Sequence, residues 1–188
     1  MNFKFTQDEK RFLGRWVLAS SIGWPVGIIV AIVLSYAVVN IFYPKETNLI
    51  VGLCLGAVVG LSQWLVIKRY FKVGTWWIFA CSIGIGIPYI TIVLLNEWSG
   101  SEFGIFGNEI IDQAILLFIG GLITGLLQVN IFKSLSKKST WWIIISAFGW
   151  GIGWFGLIIG GVILGLITGI AIFRLLDIPV QAEIKKVE

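Results

Sequence analysis

The chain has 188 residues, 57% hydrophobic and only 13% charged, with a formal net charge of +4 and a mean hydropathy of +0.94. A water-soluble domain of this length could not bury so much apolar surface, so a soluble globular fold is excluded and lipid is the expected solvent. The chain contains no histidine, which removes the usual metal ligand and neutral-pH acid–base group.

In lipid every backbone group must be satisfied internally, and the apolar runs here are continuous rather than alternating, so they are read as helices. The first span is expected over about Arg15–Phe42, ended by Pro44 and preceded by a short interfacial helix whose capping box is Thr6-Gln7-Asp8-Glu9. The run is too long for a signal-peptide core and lacks a cleavage site, so it is read as an anchor. The second span covers Leu49–Ile67 and the third Thr75–Asn96. The fourth, Ile110–Phe132, is capped by Asn108, with Glu109 and Asp112 near the positive end of its dipole. The fifth, Thr140–Trp154, is short enough to stop below the outer surface. The sixth, Leu157–Leu175, ends at Asp177-Ile178-Pro179, leaving residues 177–188 as a short polar tail. An alternative joins the last two into one kinked helix around Gly149–Gly161, giving five spans.

Basic residues gather before the first span (Lys4, Lys10, Arg11, Arg15), after the second (Lys68, Arg69, Lys72) and after the fourth (Lys133, Lys137, Lys138). The segment after the third span is acidic, with Glu97, Glu102, Glu109 and Asp112. Basic segments stay inside, which predicts a plasma-membrane protein with both termini cytoplasmic and loops near Pro44, Gly104 and Gly156 outside.

The pattern repeats. Trp16 is followed seven residues on by Gly23-Trp24, Trp77 by Gly84-Ile85 and Trp142 by Gly149-Trp150. Each is followed by a second run with paired glycines: Gly56 and Gly60 before Gln63, Gly121 and Gly125 before Gln128, Gly161 and Gly165 before Thr168. The expectation is one all-α domain over residues 1–188. It contains three tandem two-helix hairpins, at about 15–71, 75–136 and a shortened 140–176, around a pseudo-threefold axis normal to the membrane. Gly23, Gly27, Gly56, Gly60, Gly84, Gly121, Gly125, Gly149, Gly161 and Gly165 are the expected helix-packing positions, a glycine zipper in which small residues let backbones approach. The alternative reading is that these glycine-lined helices surround a conduit.

Tryptophans Trp16, Trp76, Trp77, Trp141 and Trp142 fall at the cytoplasmic ends and Trp98 at the outer one, as an interfacial belt. Trp24 and Trp150 lie deeper and need partners for their indole N–H groups, and Gln63 and Gln128 lie at a similar depth. Hydrogen bonds from those indoles to the amides within repeats one and two are expected. Gln63, Gln128, Asn130, Trp24 and Trp150 are therefore the candidate solute site. Cys54 and Cys81 are placed at different depths and read as separate packing residues.

No acidic or basic residue lies well inside a span, which disfavours proton or ion coupling. No nucleophile elbow, phosphate loop or paired-cysteine motif occurs, and Gly149-Trp150-Gly151-Ile152-Gly153 follows no strand, so no catalytic residue, metal or cofactor is predicted. The net positive charge reflects topology, so no nucleic-acid partner is expected. The three two-helix units with both termini inside resemble the layout of mitochondrial carriers, without their proline–acidic–basic signature. Size, span count and orientation are similar to substrate-binding subunits of energy-coupling-factor transporters, a resemblance that implies small-solute binding without ion coupling. Two functions follow as expectations. One is a polytopic protein that binds or conducts a small solute through the glycine-lined bundle. The other is an accessory or scaffold subunit packing on another membrane protein through its glycine faces.

Overall fold

The computed structural model describes residues 6–39, 47–99, 107–133 and 135–174. The expected stops at Pro44 and Asp177–Pro179, the loop near Gly104 and the C-terminal tail lie outside them. Among the described residues there are six α-helices and no strand: α1 Gln7–Val39, α2 Thr47–Ile67, α3 Trp76–Ser99, α4 Glu109–Lys133, α5 Trp141–Phe155 and α6 Gly160–Arg174. Five segments are long and apolar enough to cross a bilayer; α5, at 15 residues, is shorter, and its partner reaches that length only as Leu157–Arg174.

The helix starts follow their local chemistry. At α1 the capping box is reciprocal: the Glu9 amide donates to Thr6 Oγ1 (3.2 Å) and the Thr6 amide donates to Glu9 Oε2 (2.7 Å). Among the described residues no separate interfacial helix precedes the span; α1 runs unbroken for 33 residues. Asn108 Oδ1 accepts from the amides of Ile110 and Ile111 and so starts α4. Pro25 and Pro88 both lie inside helices, a position tolerated in membranes because neighbouring helices re-satisfy the freed carbonyls.

The chain between α5 and α6 reverses direction rather than continuing as a kinked helix. Gly149 of α5 faces Leu164 and Thr168 of α6, and Gly153 faces Gly160. One 3₁₀ turn, Leu157–Ile159, makes the reversal, with Leu157 at φ 45°. The turn is wholly apolar, and local hydrogen bonds hold its backbone at both ends: Gly156 donates to the Gly153 carbonyl (3.0 Å) and Ile159 to the Gly156 carbonyl (2.9 Å). That is what a reversal in a dry environment requires. At the helical rise of about 1.5 Å per residue, α5 climbs only about 20 Å from Trp142 to Phe155, whereas α3 climbs about 33 Å from Trp77 to Ser99.

Each helix packs on its neighbours in sequence, and α6 packs back on α1, so the six close into a ring. Glycines make these approaches. Between α1 and α2, Gly23 lies against Ser62 and Gly27 against Leu55; between α3 and α4, Gly84 lies against Thr124. Gly56 and Gly60 of α2 meet Cys81 and Ile78 of α3, Gly121 and Gly125 of α4 meet Ser146 and Ile143 of α5, and Gly161 and Gly165 of α6 meet Ser20 and Val17 of α1. All ten predicted packing glycines therefore face a neighbouring helix. In most cases an added Cβ would come within 3.0 Å of the neighbour, several times against its backbone.

Candidate functional site: a polar belt inside the ring

Residues four apart on a helix share a face and are separated by about 6 Å along the axis. On α1 that face carries Trp16, Ser20 and Trp24; on α3, Trp77, Cys81, Ile85 and Tyr89; on α5, Trp142, Ser146 and Trp150. All of these are buried. They create three tiers.

The lower tier is aromatic. Trp77 sits 5.9 Å, centroid to centroid, from both Trp16 and Trp142, and Phe12 and Phe132 pack onto the same group. Trp16, Trp77 and Trp142 thus depart from the expected interfacial belt: they are turned inward and close the ring at this end. Their neighbours Trp76 and Trp141 are about half exposed and Trp98 is 88% exposed, as a belt requires. The upper tier joins Trp24 and Trp150, 5.6 Å apart, with Ile85, Leu117 and Leu164.

Between these apolar tiers lies a belt of buried polar side chains: Ser20, Gln63, Thr124, Gln128, Ser146 and Thr168. Trp142 Nε1 donates to Gln128 Oε1 (2.9 Å), and Gln128 Nε2 donates to Cys81 Sγ (3.2 Å). Trp16 Nε1 donates to Thr168 Oγ1 (2.9 Å), which donates to the Leu164 carbonyl. Gln63 Nε2 donates to Ser20 Oγ (3.2 Å). The four bonds between side chains cross between helices in an order the sequence did not suggest. The indoles that reach amide and hydroxyl groups are Trp142 and Trp16, not Trp24 and Trp150, and the bond from Trp16 spans the junction between the first and last helices.

Four buried donors have no hydrogen-bond partner: Trp24 Nε1, Trp77 Nε1, Trp154 Nε1 and Thr124 Oγ1. A donor left unpaired in a dry site costs about 1–3 kcal/mol. Trp77 is the exception among the three lower-tier indoles.

Of the five predicted site residues, Gln63 and Gln128 join the belt, and Trp24 and Trp150 form its outer wall. Asn130 is exposed. It stands two residues beyond Gln128, about 200° around α4, so it faces away from the belt. The residues missed were Trp16, Trp77 and Trp142 with Ser20, Cys81 and Ser146. The available signal was a small residue four positions after each of these tryptophans.

Among the described residues no Asp, Glu, Lys or Arg is buried, and no group of His, Cys, Asp or Glu could hold a metal ion. The belt's chemistry is therefore hydrogen bonding by neutral donors and acceptors. Cys54 and Cys81 are both free thiols.

Replacing each lower-tier tryptophan by phenylalanine removes the same part of a ring but not the same bond. Trp16→Phe and Trp142→Phe are each expected to lose about 1 kcal/mol more than Trp77→Phe. Thermal unfolding in mild detergent reads the difference; equal losses would mean that the two indole bonds add nothing.

Comparison with known protein families, curated proteins and solved structures finds no match to the chain.

Proposed function

We propose that this is a non-catalytic plasma-membrane protein that binds a small uncharged solute in the polar belt, without ion coupling. The observation that carries the reading is the unpartnered Trp77 Nε1. Two of the three equivalent indoles are bonded to a side chain from the second helix of a hairpin, Thr168 or Gln128. By the same rule Trp77 would bond Gln63, but Gln63 turns to Ser20 instead. A small molecule with an accepting oxygen would complete that missing bond and accept from Trp77. The apolar tiers above and below the belt favour binding over open conduction.

The architecture behind this is three tandem two-helix repeats about a pseudo-threefold axis, the last one shortened. Repeated tryptophan spacing, ring closure and the matching glycine contacts support it. Both termini are cytoplasmic in this reading, which is supported by the basic residues among the described ones sharing the end that carries the lower tier.

Equilibrium binding of a panel of small neutral solutes to the protein in nanodiscs tests the reading. Gln63→Ala with Gln128→Ala is expected to abolish the binding that wild-type protein shows, with the near-ultraviolet tryptophan signal retained. A wild-type protein inert to the whole panel would count against it. The alternative is an accessory subunit, favoured by one observation: α5 and α6 stop short and leave the outer half of α1 exposed at Ile29, Ile32 and Val33. Extraction as a fixed heteromeric complex would select that role.

A further inference from the structure

The two ends of the ring differ sharply in charge. The start of α1, the α2–α3 and α4–α5 connections and the end of α6 together carry ten exposed Lys and Arg side chains among the described residues. Only Asp8 and Glu9 accompany them, and Glu9 is engaged in its cap. The other end presents Glu97, Glu109 and Asp112 and, among the described residues, no cation.

Several of these cations are held rather than loose. The Lys68 ammonium lies 3.7 Å above the Trp64 ring, and Trp64 Nε1 donates to the Val73 carbonyl (3.2 Å), which pins the loop carrying Lys72. Arg15 Nη1 donates to the Tyr70 hydroxyl (2.9 Å). The half-exposed Trp76 and Trp141 start the two helices that follow the basic connections, and exposed tryptophans of this kind settle at headgroup depth. Beneath the cations the aromatic tier, with Phe12, Tyr70, Phe71 and Phe173, is closed. The charge therefore encircles a sealed end, at the height where lipid phosphates lie.

We infer that this collar binds the headgroups of anionic phospholipids in the leaflet it faces, with Lys68 and Lys72 forming one phosphate site and Lys137 and Lys138 another. Charge complementarity chooses the partner: a zwitterionic headgroup carries its own cation and gains little from the collar. Because each basic residue near a charged membrane surface contributes on the order of a fivefold gain in affinity, neighbouring lysines are enough to distinguish the two lipid classes.

The test uses the full chain in mild detergent, given an equal mixture of phosphatidylglycerol and phosphatidylcholine with identical acyl chains, with retained lipid read by native mass spectrometry. Phosphatidylglycerol is expected to be retained in large excess at low salt, and the excess to shrink as salt screens the collar. Lys68→Gln with Lys72→Gln is expected to reduce that preference roughly twenty-five-fold. Lys137→Gln with Lys138→Gln provides the second measurement should the first pair misfold. Equal retention of the two lipids, or an unchanged preference in a folded variant, would overturn the inference. So would inorganic phosphate binding to wild-type protein that retains both lipids equally, which would mark a free-anion site.

Discussion

Gly161→Leu is expected to keep the ring from closing. A Cβ at Gly161 would run into the Ser20 carbonyl and come within 2.7 Å of Trp24 Cβ, so a leucine there must force α6 away from α1. That contact is one of those that join the last helix to the first, and its loss would also pull Thr168 from Trp16. Overpacking of this kind costs about 1–3 kcal/mol and occasionally more, enough to shift the protein towards unfolding. The matched control is Gly14→Leu on α1, where an added Cβ meets nothing within 4 Å; its stability is expected to stay within about 0.5 kcal/mol of wild type. Apparent melting temperatures in the same detergent compare the two, and a Gly161→Leu protein as stable as Gly14→Leu would refute the packing account.

Trp24→Ala is the second large effect. The indole is fully buried, packed at a tilt against Trp150, and lies in a slot formed by Gly153, Gly160 and Gly161 at the α5–α6 reversal. In lipid the stabilisation from such a residue is chiefly packing, since moving it out into hydrocarbon loses little hydrophobic energy but forfeits its close contacts. Removing a buried tryptophan leaves a cavity costing about 3–5 kcal/mol. Trp98→Ala, at a side chain near the end of α3 that is 88% exposed, is expected to change little. A double-mutant cycle with Trp150→Ala is expected to show a coupling of about 1 kcal/mol, because the two rings share one contact. Losses of equal size in Trp24→Ala and Trp98→Ala would mean that the slot contributes nothing.

The helical class, the six segments and most of their ends were legible because lipid imposes long apolar runs and places polar residues between them. The caps at Thr6 and Asn108 could be read because capping is local. The glycines could be assigned to packing by their fourfold spacing, although only the structure showed which helix each one meets. What escaped was rotational. Trp77 and Trp142 sit at helix ends and Trp16 at the start of the expected first span, where an indole serves equally as a belt residue or as a core residue, and the doublets Trp76-Trp77 and Trp141-Trp142 do both at once. The pairing of Trp142 with Gln128 and of Trp16 with Thr168 depends on how separate hairpins meet, which no local pattern encodes. Asn130 was grouped with Gln128 by depth, when helical phase puts the two on different faces.

The short reversal at Leu157–Ile159 has a consequence for the surrounding membrane. The ring offers lipid a tall flank along α1 and α3 and a low one at α5–α6, differing in height by about 13 Å on one side. No uniform bilayer matches both, so the hydrophobic mismatch is built in. Acyl chains beside the low flank must bend over the exposed tip at Ile158, which is 81% accessible, while those beside α1 stand extended. Mismatch is relieved by tilting or by local thinning of the bilayer. The protein is therefore expected to lean and to dimple one leaflet, and its orientation becomes sensitive to bilayer thickness.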